Sequence, residues 1–216
     1  MAVTYLFDFD GTLVDSMPTF ISTVVRILEE NNIPYHDELI RTLTPLGADG
    51  IAEYFVQELD VQASQEQVGQ TIKQYIRDAY FYTIPAKNNV IPVLEELKRR
   101  GASLNILTGS PHVTLDVCLK RLEMWDLFDN VWSCEDFATT KADPNIYFMA
   151  AERMGTTVDK VLFLDDNLDA DKTAKEAGMI VCGVYDAASE NYVDQMKEID
   201  DFFIFDFSEL LNLEID

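Results

Sequence analysis

The chain has 216 residues, with 16 lysines and arginines against 39 aspartates and glutamates, a formal charge of −23. Its 48% apolar and 25% charged residues are the balance of a folded globular protein, long enough for one domain or a core with a smaller companion. So acidic a chain is repelled by nucleic acid and by anionic lipid, which excludes both as expected partners, and no run reaches the ~18 consecutive apolar residues of a membrane span.

Met1-Ala2-Val3-Thr4 lacks the basic stretch and cleavage site of a signal peptide. The three cysteines, Cys118, Cys134 and Cys182, form no CxxC pair. Reduced, buried thiols in a cytoplasmic protein are therefore expected.

In chain order, residues 3–7 form a short β-favouring run that stops at Asp8. From Asp15 to about Thr83 no strand pattern follows, only helical ones at 19–30, 50–59 and 64–82. Ser16-Met17-Pro18 and residues 84–89 bracket this stretch like hinges. A helix at 92–100 stops at Gly101, and a second apolar run at 103–107 precedes Thr108. Asp143-Pro144 opens a helix that closes at Gly155. A third run, 161–164, ends at Asp165; a helix at 169–177 closes at Gly178, and strands follow at 179–184 and 202–205. Strand alternating with helix predicts an α/β fold, a doubly wound parallel sheet. The expected division is a core of 1–14 and 85–216, with 15–84 as an all-helical domain inserted after the first strand.

The most informative stretch is Asp8-Phe9-Asp10-Gly11-Thr12-Leu13-Val14-Asp15-Ser16. Two carboxylates at i and i+2 beyond a strand tip can converge once Gly11 turns the backbone, and open α/β sheets bind ligands at that end. Hard oxygen donors of this kind suit Mg²⁺; simple capping of a turn is the alternative. Thr108, Gly109 and Ser110 offer a hydroxyl and amides before a helix, which is an anion site. Lys141 adds positive charge before another helix, and Asp165-Asp166 follow the third run. Each reads alone as a cap or a solvated side chain, but all stand at strand ends. A rival exists for the last pair: Asp165-x-Asn167-x-Asp169-Ala170, with Glu176 twelfth, nearly spells an EF-hand calcium loop, without its central glycine.

Together these stretches resemble the motifs of the haloacid dehalogenase-like hydrolase superfamily. The resemblance is to the subfamily with a small helical cap after the first strand, which includes phosphoglycolate phosphatases and β-phosphoglucomutase-like phosphatases. Asp8-Phe9-Asp10-Gly11-Thr12 matches motif one, Leu107-Thr108-Gly109 motif two, and Lys141 with Pro144 motif three. Phe163-Leu164-Asp165-Asp166 followed by Ala177-Gly178 matches motif four. Two positions depart: Ala142 replaces a common proline, and an acid often found four residues after the metal ligand falls at Ala170, between Asp169 and Asp171.

The resemblance implies that Asp8 attacks phosphorus to form an aspartyl-phosphate. It implies that Asp10 protonates the leaving alkoxide and then takes a proton from water. Mg²⁺ would be held by the Asp8 side chain, the Asp10 backbone carbonyl and Asp166, with Asp165 as a further candidate. Thr108, the Gly109 amide and Lys141 would hold the phosphoryl oxygens. Dehalogenases of the superfamily lack an acid at the position of Asp10, so Asp10 favours phosphate chemistry. Its mutases place a histidine early in the cap and basic residues in a cap loop, whereas 16–20 here has no histidine and 44–50 no Lys or Arg. Hydrolysis of a small phosphorylated metabolite by a monomer or weak homodimer is the expectation; a sugar-phosphate mutase and a non-catalytic binding protein are the alternatives.

Three features stand outside the motifs. His36 and His112 are too few for a histidine metal site and are expected at the surface or at helix edges. Tyr75, Tyr80, Phe81 and Tyr82 have the spacing of a helical core face. Residues 186–216 hold ten acids and one base, Lys197, and are expected to form a solvated acidic face.

Overall fold

The sheet is built from short apolar runs that need cover on both faces. Its strands are β1 (Thr4–Phe7), β2 (Ser103–Thr108), β3 (Asn130–Ser133), β4 (Val161–Asp165), β5 (Ile180–Val184) and β6 (Phe202–Ile204). All pair in parallel in the order β3-β2-β1-β4-β5-β6. The computed structural model describes residues 3–43, 46–59 and 61–215. Met1-Ala2 of the expected leaderless start and residues 44 and 45 of the candidate cap loop lie outside them.

Alternation along β1 sorts the two faces. Leu6 points into one core layer with Tyr147, Phe163, Ala170, Ala174 and Val181. Tyr5 and Phe7 point the other way, where Phe7 meets Phe128 edge-on and packs against Phe207. The core helices are α5 (Val90–Arg99), α6 (His112–Arg121), α7 (Asn145–Arg153), α8 (Leu168–Ala177) and α9 (Val193–Ile199). Strand order reverses at β1, which lies between β2 and β4, so the carboxyl ends of these three strands border the crevice where such sheets bind ligands.

The chain divides into two units, Met1–Asp15 with Pro85–Asp216, and Ser16–Ile84. The second is the helical cap inserted after β1: α1 (Met17–Glu30), α2 (Asp37–Leu43), α3 (Gly47–Gln57) and α4 (Gln65–Tyr82). It has its own core of Val24, Ile27, Leu28, Phe55, Val68 and Ile72 among others. Ser64 starts α4 with a capping box, accepting from the Gln67 amide while the Gln67 side chain accepts from the Ser64 amide. Among the described residues no helix is long and apolar enough to cross a membrane.

Several expectations need correcting. The strand β3 and the seven-residue helices α2 and α9 are not among the expected elements: β3 has one buried residue, and each helix holds too few turns for its apolar spacing to stand out. Residues 47–50, read as part of a loop, are the first turn of α3. Of the aromatic group in α4, Tyr80 is buried and Tyr75 packs against the cap's core as expected, but Tyr82 is 72% exposed, because the consecutive positions 80–82 span more than one helix face. The acidic C-terminal stretch is not uniformly solvated, since Asp186 is buried and both carboxylate oxygens of Asp200 are shielded from water. Cys118, Cys134 and Cys182, by contrast, are buried and unpaired as expected.

Candidate active site

Motif one leaves the sheet in steps. The Asp8 amide still donates to Leu164 O at 2.8 Å, so Asp8 sits at the last rung of the β1–β4 ladder. Beyond it the chain turns tightly, with Gly11 N donating to Val14 O and Leu13 N to Phe9 O. Gly11 holds φ +78°, a conformation that glycine adopts without strain. A Cβ on Gly11 would also run into the Asp166 carboxylate. Glycine is therefore required twice over, and the turn brings the Thr12 hydroxyl to donate to Asp166 Oδ1 at 3.1 Å.

Motif four is set by the start of α8. Asn167 accepts from the amides of Asp169 and Ala170, and Gly178 closes the helix at φ +91°. Asp165 and Asp166 are thus fixed between the end of β4 and the cap of α8. The EF-hand reading fails here: a strand precedes the acids, and Glu176 lies in the last turn of α8 instead of closing a loop. Asp169 is exposed in the first turn of α8 and takes no part in the acidic cluster.

Lys141 precedes α7. Its Nζ lies 2.7 Å from Asp8 Oδ1 and 2.6 Å from Asp165 Oδ2. Asp165 Oδ1 accepts from the Asn167 amide at 2.9 Å. The Tyr147 hydroxyl donates to Ala170 O at 3.1 Å and lies 3.2 Å from Lys141 O, stapling the lysine's backbone to α8. Burial alone would lower the pKa of Lys141, but Asp165 and Asp8 raise it well above the ordinary lysine value, so it is a permanent cation.

Carboxylate oxygens of Asp8, Asp165 and Asp166 lie within 4.8 Å of one another, and all three residues are buried. Burial first, then the Asp8 charge, pushes Asp165 up to about 7 against the pull of Lys141. Burial, Asp165, Asp8 and Asp186 drive Asp166 well above the ordinary carboxylate range. Three buried acids that share the single ammonium of Lys141 form a group able to hold a divalent cation as further counter-charge.

On the other side, Ser110 Oγ donates to Asp10 Oδ2 at 2.5 Å, and the Ser110 amide donates to Thr108 Oγ1 at 3.0 Å. Thr108 is buried at the end of β2, whereas Gly109 is exposed, with open space where a side chain would begin. The carboxylate of Asp10 is not part of the three-acid cluster. Asp8, Asp10, Thr108, Gly109, Asp165 and Asp166 thus lie at the carboxyl ends of β1, β2 and β4, with Lys141 in the segment before α7, whereas Asp169 faces solvent.

Sequence reasoning missed what Thr12 and Tyr147 do, and gave Ser110 no contact with Asp10. Only Thr12 carried a signal, as a motif-one residue whose hydroxyl had been given no partner. His112 opens α6 at a helix edge, 2.8 Å from both Asp116 and Asp136, whose carboxylates raise its pKa.

The family model for haloacid dehalogenase-like hydrolases matches residues 5–184. The chain belongs to that family. Phosphorylated carbohydrates phosphatase of Thermotoga maritima, one relative of this haloacid dehalogenase-like hydrolase, is 24% identical over 174 residues, 81% of each chain. Phosphoglycolate phosphatase of Mannheimia succiniciproducens is 27% identical over 218 residues, covering 96% of both. Among solved structures, a candidate β-phosphoglucomutase from Thermotoga maritima superposes with a TM-score of 0.84 at 22% identity, covering 98% of this chain and 97% of that one. At that identity the likeness speaks for the fold.

Proposed function

We propose that this hydrolase is a Mg²⁺-dependent phosphomonoesterase that acts on a small phosphorylated metabolite through an aspartyl-phosphate at Asp8. The observation that carries this reading is the Lys141 ammonium, shared between Asp8 and Asp165 at 2.7 and 2.6 Å with Asp166 in the same cluster. One cation among three buried carboxylates leaves negative charge that a divalent ion offsets. An all-oxygen donor set fits magnesium. Asp8, Asp166 and the Asp10 carbonyl would hold it, while Asp165, already bound by Lys141 and the Asn167 amide, acts chiefly as the lysine's anchor. When bound, Mg²⁺ supplies the positive charge that lets an anionic phosphoryl group approach an anionic nucleophile.

Asp8 attacks phosphorus in line, and the bond from phosphorus to the leaving oxygen breaks as Asp10 gives that oxygen its proton. Water then attacks the same phosphorus, passes a proton to Asp10 and frees phosphate, restoring the Asp8 carboxylate. The Ser110 contact orients the Asp10 carboxyl. Thr108, whose hydroxyl accepts from Ser110 and keeps its own hydrogen for donation, would hold phosphoryl oxygens with the Gly109 amide and Lys141. The presence of an acid at Asp10 supports an oxygen leaving group over a halide, and the absence of Lys or Arg from 44–50 supports hydrolysis over transfer within a bisphosphate.

Turnover of p-nitrophenyl phosphate tests the reading. Release of nitrophenol that requires Mg²⁺ and is lost in Asp8→Asn is expected; no turnover by the wild type, or turnover unchanged in the variant, rejects it.

A further inference from the structure

Lys87 stands outside every motif, on the strand-like return of the chain from the helical unit to the core. Its amide donates to Leu13 O, and the preceding Ala86 bridges Val14, so the outgoing and returning segments are zipped together beside motif one. Its ammonium is mostly buried and uses all three hydrogens: Nζ lies 2.5 Å from Gly11 O, 2.7 Å from Tyr185 O and 3.0 Å from Asp186 Oδ2.

Two routes lead from this ammonium to Asp166. The first runs through the Gly11–Thr12 peptide. That unit is planar, so gripping the Gly11 carbonyl fixes the plane from which Thr12 departs, and the Thr12 hydroxyl donates to Asp166 Oδ1. The second is electrostatic. Asp186 is buried, caps the turn at Ala188 with its other oxygen, and adds negative charge to the surroundings of Asp166; Lys87 neutralises it.

We infer that Lys87 is a positioning residue of the active site, which holds the Asp10–Thr12 turn and through it the carboxylate of Asp166. This rests on the reading of Asp166 as a metal ligand. The lysine touches no reacting atom, and its effect is transmitted through the backbone oxygen of Gly11.

The two possible roles of the charge predict opposite signs. Loss of a nearby cation by itself strengthens Mg²⁺ binding, whereas loss of the grip on the turn weakens it. Lys87→Met keeps the apolar stem and removes the donors. Calorimetric titration of the metal-free full chain with Mg²⁺ is expected to give a dissociation constant about tenfold higher than that of the wild type, the usual cost of losing a group that orients a ligand. With p-nitrophenyl phosphate kcat should fall about tenfold while KM stays within about twofold. Mg²⁺ affinity equal to or tighter than that of the wild type overturns the inference, whatever the rate. If Lys87→Met does not fold, Lys87→Gln, which keeps an amide donor, is read in the same way. Failure of both to fold assigns Lys87 to the stability of the core and also overturns it. A wild type that binds Mg²⁺ without turning over the ester would reject the phosphatase reading, and the titration would still decide on Lys87.

Discussion

The Lys141 ammonium lies 2.7 Å from Asp8 Oδ1, so the candidate nucleophile is paired before any substrate arrives. The pair is buried, and a second carboxylate, Asp165, closes on the same ammonium at 2.6 Å. Removing the lysine leaves three clustered acids with no cation. Breaking a buried pair from one side costs about 3–5 kcal/mol, because the remaining charge has no compensation. Lys141→Met is therefore expected to unfold at a clearly lower urea concentration than the wild type when metal-free. Mg²⁺ should stabilise the variant more than the wild type, since it replaces the missing charge. Equal urea midpoints without metal would contradict this.

Gly11 is the position where backbone conformation and close packing coincide. Gly11→Ala forces a side chain into a left-handed conformation, at roughly 1–2 kcal/mol, and drives its Cβ against Asp166. Displacing Asp166 by even an ångström should lower kcat about a hundredfold with the fold retained. Steady-state kinetics together with circular dichroism checks this; a variant with wild-type kcat would show that the turn has slack that the packing denies.

Asp171 in α8 and Asp200 after α9 form a second buried acid pair, outside the three-acid cluster. None of their four oxygens has another hydrogen-bond donor, so they are compatible only when a shared proton links them. Burial is the main cause that raises both, Asp171 well above the usual range and Asp200 to about 7. For Asp200, the folded protein then binds more protons than the unfolded chain between its ordinary value of 3.8 and about 7. This contribution to stability is complete below pH 3.8, declines as the pH rises to about 7, and changes no further above it. Asp200→Asn supplies an amide hydrogen to Asp171 and cannot ionise. It should flatten this decline and unfold at higher urea than the wild type at pH 8. Parallel pH profiles for the two proteins would contradict the shared proton.

Much of the site was legible because its residues sit where short apolar runs stop. Asp8, Thr108 and Asp165 each end a buried parallel strand, and the run and its terminator are visible together in the sequence. The strand β3 escaped because Asn130-Val131-Trp132-Ser133 is an edge strand with one buried residue, leaving no apolar run to find. Asp171 and Asp200 looked like solvated acids, since a carboxylate that faces another acid inside the protein has the same letter as one in water. Lys87 was equally silent: its meaning comes from backbone oxygens at Gly11 and Tyr185, 76 and 98 residues away, which no side-chain pattern encodes.

The most direct test of the account is chemical capture of the intermediate. Wild-type protein turning over p-nitrophenyl phosphate with Mg²⁺ would be quenched in acid, reduced with borohydride, which converts an acyl phosphate to an alcohol, and analysed by peptide mass spectrometry. The account predicts homoserine at position 8, absent when Mg²⁺ is omitted. Reduction at another acid, or none at position 8 during active turnover, would contradict it.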